Sequence, residues 1–282
     1  MSDVFAHEIP SGSRLYFGAS AAIKRRVEGM ASDILLKAGF SEIVTPYFSY
    51  HQALSVEPRL LLRLSDISNA ELSLRADSTV DVVRIAMRRL KEQGRYYYIQ
   101  PVFHYPSYEL YQIGAESIGL NELSLHASLS IELFSNLGLN SATLQLSHMG
   151  IPLAICDLLG IDIALFRDSR VEDILALNVS WLSELLRVKS ADDLERIKLP
   201  DEIAKNAKSL IDLSRASKFK SVRVEPLYYS CMRYYEGLFF RLIEANTTLA
   251  SGGEYMVDEV ECSGFAVYTD AVIEKISTKE AK

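Results

Sequence analysis

The chain has 282 residues, of which 49% are hydrophobic and 24% are charged. A chain of this length buries enough surface to fold without a disulfide or a metal, and its composition excludes disordered, collagen-like and coiled-coil proteins. The 37 acidic and 30 basic side chains give a net charge of −7. Because such a surface repels polyphosphates, we expect no nucleic-acid partner.

The cysteines and the first residues indicate the compartment. Cys156, Cys231 and Cys262 are widely spaced, with no CxxC pair and no histidine at ligand spacing, so neither a disulfide framework nor a metal site is predicted. The segment 1–10 lacks the basic and apolar regions of an export signal, and the apolar stretch 151–166 is interrupted by aspartates. We expect a cytoplasmic protein with no membrane partner.

The first predicted elements are a helix and a strand. Apolar residues recur at helical spacing across 22–37, and Gly39 is a natural end for this helix. The β-branched and aromatic segment 42–48 predicts a strand, with Pro46 at an edge, a bulge or a strand end. The helix face that we expect to be buried carries Ile23, Val27, Met30 and Ile34.

The next elements place polar residues at a junction between a strand and a helix. Residues 72–74 predict a short strand and residues 80–90 a helix. Asp77 or Ser78 would cap that helix, because either side-chain oxygen can accept a free backbone N–H.

Two aromatic runs then predict an antiparallel hairpin. They cover 95–103 and 108–116, with a turn at 105–107. Because side chains alternate along a strand, Gln112 and Glu116 lie on the same face of the second strand.

The middle of the chain is mostly helical. Helices are predicted at 122–137 and 151–159, on either side of a strand at 142–146. A charge-rich helical insert follows at about 171–220, and Pro200 divides it into two parts.

Strand character returns in the last quarter of the chain. Strands are predicted at 227–229, 237–245 and 264–269, with a turn at 251–253 between the last two. The lysine-rich end, 274–282, is expected to be a frayed tail.

Common catalytic motifs are absent from the sequence. There is no P-loop, no GxGxxG, no HExxH and no GxSxG, and the five histidines are scattered, so we predict no cofactor and no metal. What remains is a set of polar residues within apolar strands. The Asp77 carboxylate could cap a helix or bind a ligand ammonium group. Gln112 and Glu116 could form an internal hydrogen-bond network or line a ligand pocket.

Two further groups of residues are consistent with either a structural or a functional role. The tyrosines at 228, 229, 234 and 235 are typical of a core or an interface, and also of a pocket wall. The basic run 84–95 fits a solvated helix face or a docking site for an acidic partner.

Taken in order from Ile9 to Val272, these segments resemble the catalytic core of class II aminoacyl-tRNA synthetases, specifically histidyl-tRNA synthetase. The resemblance implies a single α+β domain, with a mixed antiparallel sheet flanked by helices and carrying the helical insert. The segments that carry it are GFSEIVTP at 39–46 (the first motif), LRADST at 74–79, PVFH at 101–104 with YQIGAE at 111–116 (the second motif), and SGGEY at 251–255 with GFA at 264–266 (the histidine-specific and third motifs).

The resemblance implies an amino-acid pocket. In the family, the corresponding positions bind the α-ammonium group and the imidazole of histidine. In this sequence those positions are Asp77, Thr79, Gln112, Glu116, Tyr234 and Tyr235.

The resemblance also indicates which catalytic residues are missing. The three arginines that serve catalysis in the family align with His104, Ser230 and Ala271. Adenylation develops negative charge at phosphorus, and one electrostatic donor is worth about 100- to 1000-fold in rate. The loop between Phe103 and Tyr108 is also too short to hold ATP and a tRNA end. We expect no aminoacylation activity and no anticodon-binding domain.

A synthetase core without these cations is similar to the regulatory subunits of ATP phosphoribosyltransferase, the first enzyme of histidine biosynthesis. The segment LSHMG at 146–150 is similar to a Gly-His-Val-Gly segment of that subfamily. This resemblance implies a homodimer formed through the first motif, a complex with the catalytic subunit, and a role in histidine feedback. Whether histidine binds this chain stays open at this point.

Two alternatives come from other functional classes. The first is a diverged ligase that activates an amino acid with other cations, such as Arg75, Arg233 or Arg241. The second is a synthetase-like binding module with an unrelated partner.

Overall fold

The computed structural model describes residues 9–280 except Lys218, Cys231 and Arg233, so the predictions on Cys231 and Arg233 lie outside the described residues. The strands are β1 (Ser41–Glu42), β2 (Phe48–Ser49), β3 (Arg63–Ser65), β4 (Glu71–Leu74), β5 (Gly94–His104), β6 (Tyr108–Ile118), β7 (Thr143–His148), β8 (Val222–Val224), β9 (Tyr235–Glu244), β10 (Thr247–Val257) and β11 (Val260–Tyr268). The α-helices are α1 (Gly18–Lys37), α2 (Thr79–Ile85), α3 (Leu123–Asn136), α4 (Gly150–Leu159), α5 (Ala164–Arg167), α6 (Val171–Ala176), α7 (Ser180–Leu185), α8 (Ala191–Glu195), α9 (Asp201–Ala216) and α10 (Thr269–Glu280).

A mixed sheet forms the centre of the described chain, as the predicted α+β fold requires. Its eight strands follow the order β1-β5-β6-β11-β10-β9-β7-β8, and a separate sheet has the order β2-β4-β3. The β1–β5 and β7–β8 pairs are parallel, whereas the other pairs of the large sheet are antiparallel. The antiparallel centre makes short hairpin connections possible.

Helices α1, α3 and α10 cover one face of the large sheet. The apolar stripe of α1 is buried there through Ile23, Val27 and Ile34, together with Phe265 and Val267 of β11. Since neighbouring residues of a strand point to opposite faces, Gly264 and Ala266 point to the other face. That second face, together with residues just before α2 and in α10, forms the candidate site.

The predicted hairpin is confirmed, and so is the prediction that Gln112 and Glu116 share one face of its second strand. Strands β5 and β6 pair in antiparallel register from Gly94 and Ile118 to His104 and Tyr108. On the β11 side, Gln112 pairs with Tyr268 and Glu116 pairs with Gly264. Gln112 and Glu116 therefore share the face that α2 covers.

Two strand predictions are wrong. The segment 42–48 is not one strand, because β1 ends at Glu42 and β2 begins at Phe48, with Thr45 and Pro46 between them. Pro46 has no N–H to continue a ladder, and the carbonyls here turn toward a buried arginine. Residues 227–229 form a turn and coil, and the strand of this region is β8.

The predicted turn at 251–253 is also wrong, because these residues lie inside β10. Their glycines allow close packing: a Cβ on Gly252 would lie 2.5 Å from the Gly264 carbonyl oxygen, and one on Gly253 would lie 2.7 Å from the Tyr235 ring. The real turn, at 258–259, joins β10 to β11.

The expected frayed tail is helical through Glu280, and this prediction is wrong as well. Helix α10 buries Val272, Ile273 and Ile276 against the sheet, which offsets the entropy of ordering it. The segment expected to be a helical insert contains α6, α7, α8 and α9, and Pro200 directly precedes α9. Its status as an insert within one synthetase-like domain stays a prediction.

Candidate functional site

A cavity of about 320 Å³ lies on the second face of the large sheet. Four of the six predicted pocket residues line it: Asp77, Gln112, Tyr234 and Tyr235. Two of the three positions aligned with family arginines, His104 and Ala271, line it too. The cavity also receives Arg14, Asp270 and Glu274, which motif comparison did not point to.

Glu116 and Thr79 do not line the cavity but lie in a buried layer beside it. The Thr79 hydroxyl donates to Glu116 Oε1 at 2.8 Å, and the Tyr255 hydroxyl donates to Oε2 at 2.6 Å. Tyr98 also donates to Oε1, at 3.4 Å. Burial raises the pKa of Glu116 to about 8. This carboxyl supports the neighbouring tyrosines, and both of its oxygens have protein partners.

Two glycines provide the space for this layer. A Cβ on Gly264 would lie 1.8 Å from Glu116 Oε2, and a Cβ on Gly114 would lie 2.2 Å from the Tyr98 ring. These positions therefore need glycine for close approach, not for an unusual turn. Both glycines lie within the segments 111–116 and 264–266, but no local sequence signal indicates this role.

Asp77 lies both just before α2 and in the cavity lining. Its Oδ1 accepts the N–H of Thr79, the first residue of α2, at 3.0 Å, while its side chain also lines the cavity. The N-cap position itself is Ser78, which makes no side-chain cap bond. Burial, followed by the nearby Asp81 carboxylate, raises the pKa of Asp77 to about 7. A cation in the cavity would favour its ionised form.

An aromatic wall closes one side of the cavity. The rings of Tyr234 and Tyr235 are 4.6 Å apart, and Tyr234 lies 5.3 Å from Tyr255. Burial raises the pKa of all three phenols well above the usual value, so they remain neutral donors. Flat rings with hydroxyl tips suit a small planar ligand.

Gln112 provides an open acceptor. Its side chain is nine-tenths buried, and its Oε1 has no hydrogen-bond partner among the described atoms. A buried carbonyl oxygen without a partner costs free energy, so a ligand N–H at this point would be stabilising.

None of the three positions aligned with family arginines carries a guanidinium. His104 places Nε2 2.8 Å from the Ala76 carbonyl, and Ala271 offers only a methyl group. Ser230 lies outside the lining; it is buried, and its hydroxyl accepts the N–H of Met232 at 3.2 Å. Apart from tyrosines, the described ionisable side chains of the lining are three carboxyl groups, one guanidinium and one imidazole.

The cations considered for a diverged ligase lie elsewhere. Arg75 is completely buried, and its guanidinium donates to the backbone carbonyls of Thr45, Pro46 and Pro101. Arg241 lies against the Tyr228 ring at 3.8 Å and is not part of the cavity lining. The third candidate, Arg233, lies outside the described residues.

Neither a metal centre nor a membrane span is found in the described part of the chain, residues 9–280 without 218, 231 and 233. No cluster of three or more His, Cys, Asp or Glu side chains there is arranged to hold a metal ion. None of the described helices combines the length and the apolarity needed to cross a bilayer.

Comparison with known proteins identifies the family. The sequence model of histidyl-tRNA synthetase matches residues 18–272. The ATP phosphoribosyltransferase regulatory subunit of Wolinella succinogenes is 45% identical over 280 residues, covering 97% of each chain. That of Helicobacter hepaticus is 35% identical over 278 residues, covering 96% of this chain and 98% of the relative.

The chain belongs to the family of ATP phosphoribosyltransferase regulatory subunits, within the histidyl-tRNA synthetase-like proteins.

A solved structure agrees with this family at the level of the fold. The crystal structure titled ATP phosphoribosyltransferase regulatory subunit/histidyl-tRNA synthetase, from Bacillus halodurans, superimposes with a TM-score of 0.84 at 22% identity. It covers 98% of this chain and 84% of that one. The expected class II synthetase-like fold of this regulatory-subunit family member is therefore confirmed.

Proposed function

We propose that this chain binds and activates the catalytic subunit of ATP phosphoribosyltransferase, in the cytoplasm, and performs no aminoacylation itself. The observation that carries the proposal is the near full-length relationship to a regulatory subunit at 45% identity. The free thiols of Cys156 and Cys262 suit a reducing compartment.

The charge of the cavity supports a non-catalytic role. Adenylation needs preorganised cations around the α-phosphate, yet in the described part of the lining Asp77, Asp270 and Glu274 are accompanied by a single guanidinium. Such a lining repels a nucleotide triphosphate and suits a ligand that carries a positive group.

Two measurements on the full chain test the proposal. The chain, co-expressed with the catalytic subunit encoded in the same genome, should co-purify with it and raise its phosphoribosyl transfer rate. ATP–pyrophosphate exchange with histidine should stay at the background rate. Rapid exchange would support a diverged ligase instead, and failure to form the complex at micromolar concentration would count against the regulatory role.

We infer that the cavity is a histidine pocket through which feedback acts. Its volume suits a small ligand, the Asp77 carboxylate suits an ammonium group, and Gln112 Oε1 suits an N–H. Tyr234 and Tyr235 offer their faces to an imidazole, while Thr79 and Glu116 hold the wall beside them. Histidine then inhibits by binding one state of the complex more tightly than another.

Calorimetry with histidine tests this pocket. Asp77→Asn should weaken binding by about 1 to 3 kcal/mol, because a buried ammonium loses its charged partner. Asp192→Asn, at a carboxylate that is 70% exposed on α8, is the matched control and should bind as the wild type does. Wild-type affinity in Asp77→Asn would refute the assignment.

We propose that a homodimer forms through the first motif and the adjoining small sheet. Phe48 pairs with Leu74 and Leu64 pairs with Leu72, so the four apolar side chains share one face. Phe48 is 59% exposed and Leu64 is 43% exposed. A partly exposed apolar face of this kind is typical of an interface, and continuity with the first motif favours a second copy of the chain as its occupant.

A further inference from the structure

Among the residues that the structure describes, Arg14 provides the one guanidinium in the lining of the cavity. It lies in the segment 9–17, ahead of α1, where no motif singled it out. Ala271, the position aligned with the third-motif arginine, lines the same cavity. A cation from the start of the chain thus reaches the space from which a family cation is missing.

The segment that carries Arg14 is fixed on both sides. Before it, the Gly12 carbonyl accepts the N–H of Glu109 at 3.2 Å, and the Ser13 hydroxyl donates to the Ser107 carbonyl at 3.4 Å. After it, the Tyr16 hydroxyl donates to Asp270 at the start of α10. Arg14 is therefore held between the hairpin tip and α10.

The guanidinium itself is only weakly paired: it interacts with the Tyr16 hydroxyl and with one exposed carboxylate. Its ion pair among the described residues joins Nη1 to Glu274 Oε2 at 4.0 Å, and the two side chains are 48% and 71% exposed. An exposed ion pair at that distance contributes little free energy, so a ligand can displace it. Asp270, a buried carboxylate of the same lining, already accepts the Tyr16 hydroxyl and the Tyr111 N–H.

The lining therefore offers acceptors and a cationic donor at different points. Asp77 and Gln112 present oxygens that suit an ammonium or N–H group, whereas Arg14 presents a planar fork of donors that matches a carboxylate. A zwitterionic amino acid carries both groups. We propose that Arg14 binds the α-carboxylate of the amino acid in this cavity, an inference that rests on the proposed histidine pocket.

Paired ligands test the proposal directly. Calorimetry on the full chain compares histidine with histamine, which keeps the imidazole and the amine but lacks the carboxylate. Arg14→Gln should weaken histidine binding roughly 10- to 100-fold, as expected for a charged hydrogen bond, and change histamine binding by less than about 2-fold. Arg25→Gln removes a charge from an 84% exposed side chain of α1 and should leave both affinities unchanged.

Each outcome decides a separate point. Equal losses for the two ligands in Arg14→Gln, or no loss for histidine, would overturn the role of Arg14 and leave the pocket standing. If the wild-type chain bound neither ligand, the proposed pocket would fail and this inference with it. A melting temperature of Arg14→Gln equal to that of Arg25→Gln excludes misfolding as the cause of any loss.

Discussion

At the scale of single residues, Gly264 determines whether Glu116 can be buried beside the cavity. The two residues are in register on neighbouring strands, and the glycine leaves the space that the carboxylate fills. A methyl group there would also approach the Ala115 carbonyl oxygen to 2.8 Å, and backbone cannot move as a side-chain tip can.

Gly264→Ala should therefore lower the free energy of unfolding by about 2 kcal/mol or more, measured by urea denaturation. Gly29→Ala is the matched control, because a Cβ at this position of α1 meets nothing within 4 Å. It should stabilise the protein by roughly 0.5 to 1 kcal/mol, since alanine favours a helix. Equal effects of the two substitutions would contradict the close-packing argument.

Glu116 also makes stability depend on pH. Burial raises its pKa from 4.5 to about 8, so the folded protein keeps a proton that the unfolded chain releases. The stability that this proton provides is complete below about pH 4.5 and is lost as the pH rises through 8.

Glu116→Gln, which mimics the protonated form, should remove this dependence. The unfolding free energy of the wild type should fall relative to that of the variant by up to about 1.4 kcal/mol per pH unit between pH 5 and pH 8. Glu236→Gln, at an exposed glutamate of β9, should follow the wild-type curve. Parallel curves for wild type and Glu116→Gln would refute the assigned shift.

At the scale of elements, Arg75 joins the small sheet to the large one. It follows β4, and its guanidinium donates to the Pro101 carbonyl in β5 and to the carbonyls of Thr45 and Pro46, between β1 and β2. The Tyr47 ring lies 5.0 Å from the guanidinium carbon. Each of the three guanidinium nitrogens donates to a carbonyl oxygen, which explains how a buried cation is tolerated.

Arg75→Met should lower the free energy of unfolding by about 3 kcal/mol or more, because several buried carbonyls lose their donors together. Arg75→Lys keeps the charge but not the planar fork, and should recover only part of that loss. Thermal unfolding of the two variants checks this. Wild-type stability in Arg75→Met would show that Arg75 does not connect the sheets.

At the scale of the whole molecule, the exposed face of the small sheet predicts the oligomeric state. The wild type should have twice the 31.6 kDa mass of one chain by light scattering. Phe48→Glu should give the mass of a single chain at micromolar concentration, because a charge would be buried without a partner. Leu175→Glu places the same charge on α6, at a leucine that is 45% exposed, and should remain dimeric. A dimeric Phe48→Glu would refute this interface.

The sequence by itself determined most of the elements and the residue types of the pocket. The periodicity of α1 and the paired aromatic runs of β5 and β6 are local signals, because spacing within one element fixes which face each side chain takes. The same alternation correctly placed Gln112 and Glu116 on one face.

Only the tertiary structure decided what each residue does. Glu116 lies beside the cavity with both oxygens occupied, Gln112 keeps an open oxygen, and the glycines of β10 provide packing space inside a strand. Arg14 reaches the cavity only because its segment packs on the hairpin tip and on α10, far along the chain. Such contacts depend on strand register and on packing between distant segments, and no pattern of neighbouring residues encodes them.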